Sequence, residues 1–292
     1  MDRIIFGDNQ FFGVNHLSEE KARLQSKRFK DINKVIEILE YVDEIGIKSF
    51  MVTTYPQVEA ICQHFSDNKK YKGFKINPCL PYAHKYANEV TEHGILGTAN
   101  KYLKGNIVKS MTKGGIALLR KNFMDMMEIL IDVEVRMFEN VPTDTIFLQN
   151  VVTDLLLGLG MDDFFIEFEK YINNKYGVEA GFITMNMPLL FDRLEAKGVK
   201  NPIICTSFNK INFRMSGGME LYERYAKEKQ MRLIAMQVLA SGAITPKEAI
   251  EYVSKLDGVD SILFGASSKM NISNTKELII LGTLNNNIAG RN

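Results

Sequence analysis

The stretch RLIAMQVLASGAITPKEAIEYVSKLDGVDSILFGASSKMNISN, residues 232–274, carries the pattern that decides the fold. Its aliphatic and β-branched runs predict strands at Arg232–Leu239 and Ser261–Gly265. Between them, the sequence TPKE at 245–248 has the spacing of a capping box with proline at the first helical position. It predicts a helix over Pro246–Leu256. A strand, a helix and a strand in this order form the repeating unit of a parallel sheet.

The same alternation runs through the whole chain of 292 residues. The other predicted strands are Arg3–Gly7, Lys48–Thr54, Phe74–Leu80, Thr145–Asn150, Ala180–Asn186 and Pro202–Ser207. The other predicted helices are Asp31–Ile45, Gln57–Phe65, Gly115–Phe138, Asp162–Lys175, Pro188–Lys197, Gly218–Lys229 and Ser273–Leu284. Eight alternating units predict an α/β protein with a (β/α)8 TIM barrel as one domain over residues 1–292. The competing doubly wound open sheet usually has a GxGxxG turn after its first strand, where this chain reads GDNQFFG.

One connection is much longer than barrel loops usually are. From Pro81 to Asp144 a single clear helix is preceded by a long stretch of mixed character. We interpret residues 81–111 as an insertion after the third strand, and loops of this length are usually functional. Because this end of a barrel strand faces the active-site side, we expect the insertion to act as a lid over the barrel mouth.

Composition limits the class of protein. The chain has 36 Lys and Arg against 35 Asp and Glu, and this balance argues against a nucleic-acid partner. No apolar run approaches the roughly 18 residues of a membrane span, and no signal peptide is visible. The three cysteines form no CxxC pair and no disulfide framework, so a reduced, cytoplasmic protein is expected.

The predicted strand ends are rich in amides and hydroxyls. In a TIM barrel these residues line the mouth, where small-molecule sites form. Asp8 is the only carboxylate of the first strand end and is a candidate general acid or base, its alternative role being a turn or helix cap. The candidate substrate-binding residues are Asn9, Gln10, Thr54, Asn77, Gln149, Asn150, Asn186, Asn209 and Gln237.

The last two loops at the mouth suit an anion. The predicted helix start after the eighth strand offers backbone N–H groups and a positive dipole end, and barrels often bind phosphate in these loops. The candidate cofactor-binding residues are Ser241, Gly242, Gly265, Ser267, Ser268 and Lys269. The alternative for the final loop is a plain serine helix cap with a solvated lysine.

Histidines are few, and His84 is the candidate catalytic one. It lies in the predicted insertion, and a closing lid can deliver a group that transfers protons. The spacing of His84, Glu89 and His93 fits no common metal motif, so no metal site is predicted.

Three segments of the chain resemble the aldo-keto reductases. These are residues 232–274, the segment NPIICTSFNKINFR at 201–214, and VDEIGIKSFMVTTY at 42–55. The resemblance implies a barrel fold and an NADP cofactor, with Tyr55 in the place of the family's proton-donating tyrosine. The family's tetrad also contains Asp, Lys and His. Phe50–Thr54 contains no Asp, Asn77 stands near the place of the Lys, and Gln149-Asn150 stands at the place of the His.

The sequence therefore predicts an aldo-keto-reductase-like barrel enzyme that acts on a small polar metabolite, phosphorylated or nucleotide-linked. Two alternatives stay open. One is an NADP-dependent oxidoreductase with an atypical proton donor. The other is a cofactor-free lyase or isomerase, or a non-catalytic binding module, on the same barrel. The substrate, the direction of reaction and the oligomeric state are left open.

Overall fold

The computed structural model describes residues 1–13, 18–82 and 115–289. Eight parallel strands close into a barrel in sequence order, and the last strand pairs with the first. The strands are β1 (Ile4–Phe6), β2 (Ser49–Thr53), β3 (Lys75–Leu80), β4 (Thr145–Leu148), β5 (Glu179–Thr184), β6 (Ile203–Ser207), β7 (Arg232–Met236) and β8 (Val259–Phe264). All eight predicted strands are present, which confirms the (β/α)8 barrel.

Helices follow the strands and cover the outside of the barrel. They are α1 (Glu19–Arg28), α2 (Ile32–Glu44), α3 (Val58–Asp67), α4 (Gly115–Val135), α5 (Asn150–Leu159), α6 (Asp163–Tyr176), α7 (Met187–Ala196), α8 (Met219–Glu228), α9 (Pro246–Ser254) and α10 (Lys269–Ala289). The capping box of α9 is confirmed, because the Thr245 side chain accepts a hydrogen bond from the backbone N–H of Glu248 at 3.3 Å.

Helices α1 and α5 were not predicted from the sequence. The α1 sequence EEKARLQSKR has almost no apolar stripe, although Glu19 and Glu20 in the first turn and Lys27 and Arg28 in the last suit the helix dipole. The α5 sequence NVVTDLLLGL is almost continuously apolar, so it has no clear helical period.

Several element boundaries near the mouth differ from the prediction, among them those after β4 and β8. Strand β4 ends at Leu148, so Asn150 is the first residue of a helix and not the last of a strand. Helix α10 begins at Lys269, four residues before the predicted Ser273. One residue separates β4 from α5, and four residues separate β8 from α10, so the loops at the mouth are short in both places.

The barrel separates two apolar clusters. Inward-facing strand residues fill the barrel below the mouth, namely Ile5, Met51, Cys79, Phe147, Ile183, Ile203, Cys205 and Ile234. Outward-facing residues such as Phe6, Phe50 and Val52 pack against the helices. Because both faces of the strands are buried, the strands read as nearly continuous apolar runs.

Of the predicted insertion at residues 81–111, only Pro81 and Tyr82 belong to the described residues. His84 lies outside them, so its catalytic role stays a prediction. Among the helices of the described ranges, none combines the length and apolarity that a bilayer span requires.

Candidate active site

A cavity of about 640 Å³ opens at the carboxyl ends of the strands. Barrel active sites form at this end because the loops there carry side chains from every strand. Ten of the residues singled out from the sequence line it: Asp8, Asn9, Gln10, Tyr55, Gln149, Asn150, Gln237, Ser241, Gly242 and Gly265. The fold thus brings them together, and their individual roles stay predictions.

Asp8 is buried where β1 ends, with 8% of its surface exposed. Its Oδ2 accepts a hydrogen bond from the backbone N–H of Thr53 at 2.8 Å. Burial raises the pKa of Asp8 to about 6, and the hydrogen bond from Thr53 only partly offsets this effect. Asp8 is the only carboxylate among the described residues that line the cavity. Its side chain caps no helix of the described residues, but its carbonyl accepts a hydrogen bond from the Phe11 N–H at 2.8 Å, so Asp8 also begins the turn that the sequence left as an alternative.

Tyr55 lies directly after β2 and also lines the cavity. Its ring stacks on Phe12 with 4.2 Å between ring centroids and contacts Tyr82 at 4.7 Å. Burial raises the pKa of the Tyr55 hydroxyl, and the negative charge of the Asp8 carboxylate raises it further. A tyrosine in this setting holds its proton firmly, unlike one beside a cation.

Gln10 closes the gap between the first and last strands. Its side-chain amide donates a hydrogen bond to the Gly7 carbonyl at 2.7 Å. A Cβ at Gly265 would lie 2.0 Å from Gln10 Oε1, so only glycine leaves room for this amide. Gln10 therefore lines the cavity and packs closely against Gly265 at the end of β8.

Gln237 begins a tightly folded loop after β7. Its Oε1 accepts a hydrogen bond from the Ser207 hydroxyl at 2.6 Å, so the NH₂ group is the end left to donate. Gln237, Ala240 and Ser241 all have positive φ angles, and such strain in non-glycine residues gathers at functional sites. Ser241 and Gly242 of this loop line the cavity, as the predicted anion loop requires.

Thr54 and Asn77 do not line the cavity, which corrects their assignment to substrate binding. Because neighbouring side chains of a strand point to opposite faces, Thr54 points outward and its hydroxyl donates to the buried carboxylate of Glu134 on α4. Asn77 faces inward but lies two residues below Cys79. Its Oδ1 accepts from the backbone N–H groups of Asp144 and Thr145, both at 3.1 Å.

Asn186 and Asn209 also have structural contacts in place of cavity positions. The Asn186 side chain caps α7 by accepting a hydrogen bond from the Leu189 N–H at 3.4 Å. The Asn209 amide is fully buried and makes two hydrogen bonds to the backbone of Phe213, at 2.8 and 2.9 Å. Both residues shape loops at the mouth without reaching into the cavity.

Lys269 is turned away from the cavity, which corrects the predicted phosphate contact. Its ammonium forms an ion pair with Glu37 of α2 at 2.8 Å, and this hydrogen bond raises the pKa of Lys269. Ser268 caps α10 through a 3.3 Å hydrogen bond from the Asn271 N–H, and Ser267 does not line the cavity either. The helix cap that the sequence left as the alternative is present, but Lys269 is paired with Glu37 and is not the solvated lysine of that alternative.

Several cavity residues were missed from the sequence. Gln25 comes from the unpredicted helix α1, and Arg214 comes from the loop after β6. Arg214 stands within the segment NPIICTSFNKINFR, five residues beyond Asn209, so attention to charges near strand ends would have found it. Gln25 gave no sequence signal, because only packing shows that α1 reaches the mouth.

Cys79 and Gln149 are two further residues near strand ends that line the cavity. Cys79 ends up beside the cavity on β3, with its thiol pKa raised well above its usual value by burial and by Asp8. Gln149 follows β4, and its backbone N–H donates to the Leu80 carbonyl at 2.9 Å. Lysine is absent from the described residues that line the cavity. Among residues 1–13, 18–82 and 115–289, no three His, Cys, Asp or Glu side chains are grouped closely enough to hold a metal ion.

Neither the protein-family models nor the curated proteins include a match to this sequence. Solved structures, in contrast, match almost its full length. A Pseudomonas aeruginosa protein with a provisional aldo-keto reductase assignment has a TM-score of 0.56 at 11% identity, over 97% of this chain and 91% of that one. An aldo-keto reductase from Brucella melitensis has a TM-score of 0.52 at 9% identity, over 95% and 89%.

A third similar structure is a thermostable aldo-keto reductase in complex with the inhibitor epalrestat. Its TM-score is 0.51 at 12% identity, over 95% of this chain and 89% of that one. The chain therefore has the aldo-keto-reductase-like barrel that its motifs predicted. At identities this low the likeness shows the fold alone and does not extend to the reaction.

Proposed function

We propose that this barrel is an enzyme that acts on a small polar metabolite and that Asp8 is its general base. The observation that carries the proposal is the buried Asp8 carboxylate in the cavity, with its pKa raised to about 6. A base with a pKa near 6 is mostly ionised at neutral pH and still accepts a proton readily. Asp8 would take a proton from the bound substrate and return it to the product.

The rest of the lining supports a small polar substrate. Asn9, Gln149, Asn150 and Gln237 present amide groups to the cavity, and each can donate or accept hydrogen bonds without adding charge. Met51, Ile183 and Leu263 supply apolar surface. A cavity with apolar walls and a few convergent polar groups is typical of a small-molecule site.

The residues predicted to hold NADP do not form one site. Ser267 and Lys269 lie outside the cavity, and Lys269 is paired with Glu37. Tyr55 has a raised pKa and no lysine neighbour in the lining, so the proton donor that the family uses is not reproduced. We therefore favour the cofactor-free class, a lyase or isomerase that works by proton transfer.

An NADP-dependent oxidoreductase with an atypical proton donor is the second candidate. It is favoured by Tyr55, which lines the cavity directly after β2, at the place the family resemblance assigns to the donor. Under this reading Tyr55→Phe abolishes carbonyl reduction, although the stack on Phe12 is retained. NADPH should then raise the melting temperature, because a ligand that binds only the native state stabilises it.

The deciding experiment combines a substrate screen with Asp8→Asn. Substitution by Asn preserves shape and the acceptor for Thr53, so we expect turnover to fall roughly 10²–10⁴-fold while the fold is retained. Asn9→Ala, at the exposed neighbouring position, is the control and should change KM more than kcat. Full turnover by Asp8→Asn would remove the proposal. Binding of metabolites without any turnover would favour the binding-module alternative.

A further inference from the structure

Arg214 is the only cationic side chain among the described residues that line the cavity. It is exposed and therefore lies at the rim, whereas Asp8 is buried deeper in the same cavity. Within the described ranges no Asp or Glu forms an ion pair with Arg214. Its guanidinium carbon lies 5.4 Å from the centroid of the uncharged Phe213 ring.

The backbone on both sides of Arg214 is firmly anchored. Before it, Phe213 exchanges two hydrogen bonds with the buried Asn209 amide, at 2.8 and 2.9 Å. After it, Met215 is 5% exposed, and the Ser216 N–H donates to the Met185 carbonyl at 3.0 Å. The loop thus fixes the starting point of the arginine side chain even though the side chain itself meets solvent.

Arg214 also has a strained backbone, with φ of 56°. This left-handed conformation is unfavourable for a non-glycine residue, and glycine would adopt it without that cost. Surface solubility alone does not require an arginine there. Strain of this kind persists where the surrounding structure enforces it, and it gathers at binding sites.

We propose that Arg214 binds an oxyanion group of the substrate, a phosphate or a carboxylate, at the rim of the cavity. The inference rests on the proposed function, because it assigns the substrate class of the same site. An unpaired guanidinium offers parallel N–H donors that fit both groups in a bidentate manner. In this proposal Arg214 takes the anion-binding role that the sequence assigned to Lys269, because Lys269 already forms an ion pair with Glu37.

The arrangement also separates the charges of the substrate from Asp8. Arg214 follows β6 and Asp8 follows β1, and these strands are three positions apart around the closed barrel. A substrate held at Arg214 by its anionic end presents its uncharged end toward Asp8. The two negative groups then stay apart, which avoids the repulsion that would oppose ionisation of the base.

Calorimetric titration at low ionic strength tests this inference without a known substrate. The probes are inorganic pyrophosphate for the phosphate class and malonate for the carboxylate class. We expect at least one to bind the wild type saturably. We expect that affinity to fall at least tenfold in Arg214→Ala. The loss should be intermediate in Arg214→Lys, because lysine keeps the positive charge but lacks the paired N–H donors of the guanidinium. If Arg214→Ala fails to fold, a lower anion affinity of Arg214→Lys than of the wild type tests the same inference.

Lys269→Ala is the matched control and should bind the same anion within twofold of the wild type. The inference is overturned by equal affinity in wild type and Arg214→Ala, by absence of saturable binding to the wild type, or by a tenfold loss in Lys269→Ala. Asp8→Asn separates the two proposals, since it should bind the anion at least as tightly as the wild type. Full turnover in that variant would remove the proposed function and leave the anion site standing.

Discussion

The backbone N–H of Thr53 donates a 2.8 Å hydrogen bond to Asp8 Oδ2, and this bond joins the ends of the neighbouring strands β1 and β2. It holds the carboxylate at the floor of the cavity, where burial dominates its ionisation. The same contact therefore fixes the position of the proposed base, while the loss of water raises its pKa. The consequences of this arrangement can be measured.

The first prediction concerns stability and pH. The pKa of Asp8 is about 6 in the native state against a usual 3.8, so between these values the native state binds more protons than the unfolded state. The Asp8 contribution thus favours folding below pH 4 and is lost as pH rises through 6, a change of about 3 kcal/mol. The free energy of unfolding of Asp8→Asn relative to wild type should rise by about that amount from pH 4 to pH 7.

Urea unfolding at a series of pH values measures this difference. Asp67→Asn is a matched control, because it makes the same replacement at an exposed position, the end of α3. A difference between Asp8→Asn and wild type that does not change with pH would show that Asp8 is not held in a water-poor setting.

A second prediction concerns the pH dependence of catalysis. Because the proposed base works only when ionised, kcat/KM should fall about tenfold per pH unit below pH 6 and level off above it. The break near pH 6 should be missing from the residual activity of Asp8→Asn. A profile that is level from pH 5 to pH 7 in the wild type would contradict the assignment of Asp8 as base.

A third prediction tests the close approach of Gln10 to Gly265. Gly265→Ala places a methyl group 2.0 Å from Gln10 Oε1, so the buried Gln10 amide must move and its bond to the Gly7 carbonyl is strained. We expect a loss of about 1–3 kcal/mol in the free energy of unfolding. Adding Gln10→Ala to this variant should recover part of the loss, because the clashing atom is gone.

Thermal or urea unfolding of the two single variants and the double variant provides the test. Gly73→Ala is the control, since a Cβ there meets nothing within 4 Å. If the losses of Gly265→Ala and Gln10→Ala simply add, the two residues are not in contact as described.

The fourth prediction concerns Asn77, which the sequence assigned to the substrate. Asn77→Ala should lower the free energy of unfolding by about 3 kcal/mol, because the buried N–H groups of Asp144 and Thr145 lose their acceptor. Anion affinity should stay unchanged. Asn68→Ala removes an exposed cap of a short helix and should cost less than about 1 kcal/mol. An activity loss without a stability loss in Asn77→Ala would restore its role as a substrate ligand.

The sequence by itself determined the barrel and the edge at which its polar residues meet. Periodicity is a local property, so strands such as Arg232–Leu239 and the helix capped by Thr245 can be read from neighbouring residues. In a closed parallel barrel every strand delivers its end to one mouth. The placement of Asp8, Tyr55 and Gln149 around one cavity follows from this rule.

Only the tertiary structure decided which of those polar residues face the cavity. Thr54 and Thr53 differ by one step of the strand, and that step turns Thr54 toward Glu134. Asn77 faces the barrel interior, but it lies below the cavity and does not line it. Lys269 is drawn away by Glu37, which is distant in sequence, and Arg214 reaches the cavity through a loop that Asn209 fixes. The depth of a side chain in the barrel, the direction it faces and its ion-pair partner depend on contacts between distant parts of the chain. A local sequence pattern does not encode those contacts.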